Sequence, residues 1–163
     1  MALFNYNDAA RKSMSAIKYR NKREFLDFYA EVLAFRYHKV IGNWHPDVLI
    51  PVPVHPSRRR KRGFNQAEEL AKRLSKKLGI PMISGFLLRT RKTAPQRELN
   101  PKERLANLQK AFSIDSRIPA PESVILVDDI YTTGSTMEAC ARVLKDAGVQ
   151  EVHFAVVCIG RGR

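Results

Sequence analysis

The sequence predicts an α/β fold, a doubly wound and mostly parallel sheet. Three observations carry that prediction. Val48-Leu49-Ile50-Pro51-Val52 and Val124-Ile125-Leu126-Val127 are unbroken apolar runs, the pattern of strands buried on both faces. Each run leads through a polar loop into an amphipathic helix. Such strand–loop–helix units, repeated, give a parallel sheet with ligand loops at the strands' C-terminal ends. At 163 residues, 44% of them apolar, the chain has the size and composition of a single globular domain, residues 1–163.

In order along the chain, residues 3–6 alternate loosely as a short strand, and Asn7 or Asp8 caps a helix to about Lys18 with Met14 and Ile17 inward. A second helix spans about 22–40. Phe25, Tyr29, Val32, Leu33 and Val40 follow its period, Phe28 and Phe35 widen the stripe, and its aromatics are expected in the core. Trp44 to Asp47 is a break before the first apolar run. Pro53 to Ser57 is expected as a short turn into five consecutive basic residues, Arg58 to Arg62.

Asn65 with Glu68 opens the next helix, which carries Ala67, Leu70, Ala71, Leu74 and Leu78 on one face and ends at Gly79. Residues 80–90 are strand material interrupted at Gly85. Arg89 to Leu99 has no period and few apolar residues, so a mobile loop is expected there, poorly ordered without ligand. Asn100-Pro101-Lys102-Glu103 starts a helix reaching Gln109, with Leu105 and Leu108 inward, and residues 111–114 form a short strand. Ile118 to Pro121 links to the second apolar run, which Asp128 and Asp129 are expected to end. Ser135 with Glu138 reads as a capping box, Met137, Cys140, Ala141 and Leu144 form the helix stripe, and Gly148 closes it. A last strand covers 152–157.

The chemistry concentrates after the second apolar run. The backbone amides of Thr133 to Thr136, at the positive end of a helix, can converge on a phosphate. The hydroxyls of Thr132, Thr133, Ser135 and Thr136 add donors around Gly134. Asp128 and Asp129 are acceptors only and suit sugar hydroxyls or the water shell of Mg²⁺. A phosphate one loop away from two carboxylates describes a ribose 5-phosphate better than a nucleoside triphosphate, and no Gly-x-x-x-x-Gly-Lys occurs.

The net charge of +13, from 29 Lys and Arg against 16 Asp and Glu, attracts polyphosphates or nucleic acid. It clusters in 11–23, 58–62 and 89–104. Cys140 and Cys158 form no Cys-x-x-Cys pair, so neither a zinc site nor a disulfide framework is written here. No run is long enough to span a membrane and no signal peptide is evident, which makes the cytoplasm the default location.

Residues 124–136 resemble the 5-phosphoribosyl 1-diphosphate (PRPP) signature of type I phosphoribosyltransferases: buried strand, two acids, an apolar residue, a Thr/Gly-rich loop. With residues 6–22, 51–71 and 90–112, the chain resembles the ComF/GntX competence-protein family over nearly its whole length. Arg62-Gly63-Phe64-Asn65-Gln66 is the most family-specific piece, and Gln96, Arg104, Asn107, Ala111 and Phe112 match the family's spacing. Members commonly carry a cysteine-rich segment ahead of this domain, and nothing of it occurs in this sequence.

The resemblance implies a small hood built from the N-terminal segment and a loop, and beneath it a site. Asp128, Asp129 and Arg62 would be catalytic, with Asp128 and Asp129 also holding Mg²⁺ through water, and Thr132, Thr133, Gly134, Ser135 and Thr136 would take the 5′-phosphate. Val54, His55, Arg58, Arg59, Arg62, Asn65 and Gln66 would take the pyrophosphate, and Arg89, Lys92, Gln96, Arg97 and Arg104 belong to a loop closing over it. It implies Mg²⁺-dependent transfer of a 5-phosphoribosyl group to an unidentified acceptor, usually nitrogen. It leaves open a non-catalytic alternative, a PRPP-binding or single-stranded-DNA-handling protein of DNA uptake working with a competence helicase. Assembly into a homo-oligomer is also left open.

Overall fold

The computed structural model describes residues 1–91 and 106–160. Four parallel strands form the central sheet in the order β1 (Ala2–Asn5), β6 (Glu151–Ile159), β5 (Ser123–Tyr131), β2 (Val48–Pro51). Two short strands, β3 (Leu87–Arg89) and β4 (Phe112–Ile114), pair antiparallel in a separate ribbon. The helices described from end to end are α1 (Asp8–Arg20), α2 (Glu24–Trp44), α3 (Pro56–Arg62), α4 (Gln66–Leu78) and α5 (Ser135–Asp146), and residues 106–109 are helical as well.

The apolar runs behave as their composition demands. Ile125 and Val127 face one side with Leu49, Ala155 and Val157, under α1, α2 and α4 through Met14, Ile17, Leu33, Leu70 and Leu74. Val124 and Leu126 face the other side with Val48, Ile50 and Val156, under α5 and the ribbon through Met137, Cys140, Leu144, Phe86 and Phe112. Both faces of the sheet are therefore covered, and each fully buried aliphatic side chain contributes about 1.5–3 kcal/mol relative to an exposed one.

Local signals account for the helix ends. Asn7 Oδ1 accepts from the Ala10 amide at 2.9 Å and starts α1. Asn21 ends it in the left-handed region at φ 54°. Asn65 Oδ1 accepts from the Ala67 amide at 3.1 Å and starts α4, which Gly79 closes at φ 70°.

Five expectations are corrected. The acid pair does not end the strand: β5 continues to Tyr131 because β6 is as long and pairs with it through Asp128↔Val156, Ile130↔Cys158 and Tyr131↔Ile159. The expected turn over Pro53 to Ser57 is cut short by α3, which starts at Pro56, carries the basic run and is closed by Gly63 at φ 80°. Ser135 is not a cap: Gly134 is, at φ 79°, and Glu138 instead meets Arg142 at 2.7 Å. On α2 the buried residues are Leu26, Tyr29, Ala30, Leu33 and Ile41, whereas Phe25, Phe28, Phe35 and Val40 face solvent. A helix that is apolar nearly all round gives no periodic signal for which face turns inward. Finally, only Leu87–Arg89 of residues 80–90 is a strand within a ribbon, while Met82 bridges to Leu49 at the sheet edge.

Candidate active site

The site lies where the parallel strands end. Two corners meet there, one after β5 and one after β2.

At the β5 corner, Gly134 turns the chain into α5 at a position where any other residue is strained. Its φ is 79°, and a Cβ there would lie 2.3 Å from the Tyr131 hydroxyl oxygen. No side chain caps the first turn of α5. The Thr133 and Ser135 hydroxyls bond each other at 3.0 Å, and Thr132 and Thr133 are exposed. The result is a helix N-terminus whose amides are not taken by a side-chain acceptor and whose rim carries hydroxyl groups, the arrangement that binds a phosphate.

The acid pair stands one loop away. Asp128 Oδ1 accepts from the Asp129 amide at 2.8 Å. Enclosure by protein, and next the charge of Asp129, push the Asp128 carboxyl well above the usual carboxylate range. Asp129 is 8% exposed, and its Oδ2 lies 2.5 Å from Lys18 Nζ. Lys18 belongs to α1, so an ion pair ties the N-terminal helix to the strand end. Nothing in the sequence signals this contact, because the two residues are far apart along the chain.

Among the described residues no three His, Cys, Asp or Glu side chains converge. Two carboxylates without a third ligand fit a hydrated Mg²⁺ shared with a substrate's oxygens, not a caged metal. The cysteines take no part: burial pushes the Cys158 thiol up to about 11 and raises Cys140 further.

At the β2 corner, Val54 and His55 connect the strand to α3 and are half-buried. His55 Nδ1 accepts from the Ser57 amide at 3.2 Å and lies 2.8 Å from the Ser57 hydroxyl. Histidine is thus the cap of α3, leaving Nε2 as the protonated nitrogen when the ring is neutral. Arg58 and Arg62 line a cavity of about 630 Å³ together with Lys18, Tyr19, Asn21, Arg23, Lys61 and Phe64. Arg59 turns away to pair with Glu68 at 3.1 Å. Arg62 stacks 5.7 Å over the Tyr19 ring, and Arg23 stacks 4.2 Å over Phe64.

Asn65 and Gln66 are buried. Asn65 donates to the Val52 carbonyl at 3.0 Å while its oxygen caps α4, so both halves of its amide serve the chain itself. It holds the end of β2 against α4. Arg89, on β3, is half-buried over the Phe112 ring at 5.3 Å. Burial and then the charge of Arg58 lower its pKa, and Cys140 and Asp128 oppose the shift. Lys92, Gln96, Arg97 and Arg104, and the expected mobility of their loop, lie outside the described residues.

Residues 18–163 match the family model of the phosphoribosyl transferase domain. The chain is 41% identical over 110 residues to competence protein F of Haemophilus influenzae, covering 66% of this chain and 48% of that protein. It is 31% identical to competence protein ComFC of Bacillus subtilis, over 90% of this chain and 58% of that protein. It is 37% identical to the DNA utilization protein YhgH of Escherichia coli K12, over 78% of this chain and 55% of that protein. The chain thus spans about half of these relatives' length. Two solved structures share the fold. Purine phosphoribosyltransferase from Pyrococcus horikoshii has a TM-score of 0.51 at 21% identity, over 81% of this chain and 73% of that one. Glutamine PRPP amidotransferase from B. subtilis has a TM-score of 0.54 at 20% identity, over 80% of this chain and 25% of that one.

Proposed function

The chain belongs to the phosphoribosyl transferase domain family, and from that premise we propose that it binds PRPP and transfers its 5-phosphoribosyl group to a nitrogen acceptor, in a process linked to competence. The observation that carries this reading is the uncapped first turn of α5 behind Gly134, one loop from the carboxylates of Asp128 and Asp129.

Each residue has a part. The amides after Gly134, with Thr132, Thr133, Ser135 and Thr136, hold the 5′-phosphate. Asp128 and Asp129 receive the ribose hydroxyls and would hold Mg²⁺ through its water shell; that ion, when bound, supplies positive charge to the leaving pyrophosphate. Arg58, Arg62 and the chain after Val54 and His55 take the pyrophosphate, with Arg89 alongside. Asn65 keeps that corner in place through Val52. The acceptor nitrogen forms its bond to C1 as the C1–oxygen bond breaks, the electron pair leaves on pyrophosphate, and a proton passes to solvent. Catalysis rests on positioning and electrostatics.

Calorimetric titration with PRPP and Mg²⁺ tests the reading. Wild type binds, and the Asp128→Ala/Asp129→Ala variant, with unchanged circular dichroism, does not. Equal affinity in the two proteins would overturn it.

A second reading is favoured by one observation. A further cavity of about 450 Å³ on α1 is lined by Arg11, Lys12, Ser15, Ala16 and Arg20, which extends positive charge away from the site. The relatives' names, competence and DNA utilization, fit a single strand of DNA held there weakly. Such binding falls steeply with salt and is lost when Arg11, Lys12 and Arg20, which line that cavity, are changed to Glu. A salt-independent affinity, or one the variant retains, excludes it.

A further inference from the structure

The proposed donor chemistry uses only part of the cavity between α1 and α3. Lys18, Arg23, Arg58, Lys61 and Arg62 line it, and among the described residues no Asp or Glu does. Arg58, Lys61 and Arg62 form no ion pair with any described residue, unlike Arg59, Lys72 and Arg73 close by. A concave surface lined by one sign of charge focuses its field on whatever enters. A neutral base needs a different pocket, mostly apolar with a few placed polar groups. The pyrophosphate of PRPP would engage Arg58 and Arg62, which leaves Lys61 and Arg23 facing the space beyond it.

Two further features narrow the occupant. Tyr19, at the rim, is 72% exposed although its ring is large and apolar. Arg62 lies over one face of this ring at 5.7 Å, and the rest of it, exposed and flanked by cations, is a platform for a planar group attached to an anion. Lys18, one of the lining residues, reaches Asp129 at 2.5 Å, so the cavity adjoins the acid pair with only that side chain between them, which puts its occupant on the side of a ribose held there.

We infer that the acceptor is itself a nucleotide, a planar base carrying a phosphate, with the base on Tyr19 and the phosphate on Lys61 and Arg23. This rests on the transferase reading above. The nitrogen that attacks is one left free by the acceptor's own glycosidic bond. Its lone pair forms the bond to C1, the C1–oxygen bond to pyrophosphate breaks, pyrophosphate leaves with the electron pair, and one proton is released to solvent. The same chemistry is offered by a free mononucleotide and by the terminal nucleotide of a single strand.

The test compares the affinities of adenosine, adenosine 5′-monophosphate and a short oligodeoxyadenylate for the full chain, by calorimetry with and without PRPP and Mg²⁺. The monophosphate is expected to bind about tenfold or more tightly than the nucleoside, the effect of charge-assisted hydrogen bonds to a phosphate. In Lys61→Glu, an exposed position where folding is not at risk, that ratio falls to near one, and Tyr19→Ala weakens all three ligands together. An oligonucleotide that binds more tightly than the monophosphate identifies a strand end as the source, and equal or weaker binding identifies the free nucleotide. Nucleoside and monophosphate binding equally to wild type, or a ratio that survives Lys61→Glu, overturns the inference. PRPP binding is read separately in the same titrations. If PRPP binds but the monophosphate has no advantage, the inference falls and the transferase reading stands; if PRPP fails to bind, the reading falls.

Discussion

The corners after β5 and β2 begin from the same kind of strand and reach anion recognition by opposite means. After β5 the nearest side chains, the carboxyl groups of Asp128 and Asp129, offer an anion no positive charge, and the attraction comes from backbone amides at the start of α5. After β2 the helix is too short to offer much of a dipole, and the attraction comes from guanidinium and ammonium groups on α3. A backbone site is fixed by geometry and tolerates almost no change at one glycine. A side-chain site is fixed by charge and tolerates the loss of any single member. The two corners should therefore fail differently.

The largest effect is expected at Gly134. Alanine there meets the Tyr131 hydroxyl and must hold φ 79°, which together cost about 1–3 kcal/mol of stability and displace the amides that face the phosphate. Thermal unfolding should show the loss, and PRPP titration should show no binding. A Gly134→Ala protein of normal stability and affinity would mean that the corner is not built on its backbone.

A smaller, graded effect is expected at α3. Arg58→Ala and Arg62→Ala should each weaken PRPP by about tenfold, the double variant further, with a shallower salt dependence than wild type. Stability should barely move, because Arg58 is exposed and Arg62 half-exposed. If either single change removes binding outright, α3 is as unforgiving as the glycine corner and the contrast collapses.

The smallest effect concerns the strand end they share. Because the folded-state pKa of Asp128 is raised, its contribution to stability is fully present below the ordinary carboxylate pKa and is lost as pH rises through the raised value. Asp128→Asn should remove that decline. Without divalent ions, its unfolding midpoint should match wild type in acid and exceed it towards neutral pH. Parallel curves across this range would show that Asp128 is not held in its protonated form.

What was legible in the sequence follows the same division. The β5 corner was readable because its signals are local: an apolar run, two acids, hydroxyls about a glycine. The β2 strand was readable for the same reason. Strand length was not, since β5 extends to Tyr131 only because β6 accompanies it. A seven-residue helix with five basic residues has no apolar face and no period, so α3 was hidden, although Pro56 and Gly63 at its ends were usable signals. On α2, with Leu26 and Leu33 on one side and Phe28 and Phe35 on the other, apolar content exceeded what one face can bury. Lys18 against Asp129, and Tyr131 against Gly134, are tertiary contacts that no window of sequence contains.

The order of strands has a consequence in time. Ala2 pairs with Val156, so the first strand made is hydrogen-bonded to the last. At a synthesis rate of ~5–20 residues per second, β1 waits about eight to thirty seconds for its partner. During that interval α1 and α2 have formed locally but have no completed sheet to cover, and the surfaces of Met14, Ile17 and Leu33 stay accessible. Within that window the nascent chain is most open to capture by a chaperone or by another copy of itself. The closing of β6 between β1 and β5 ends it.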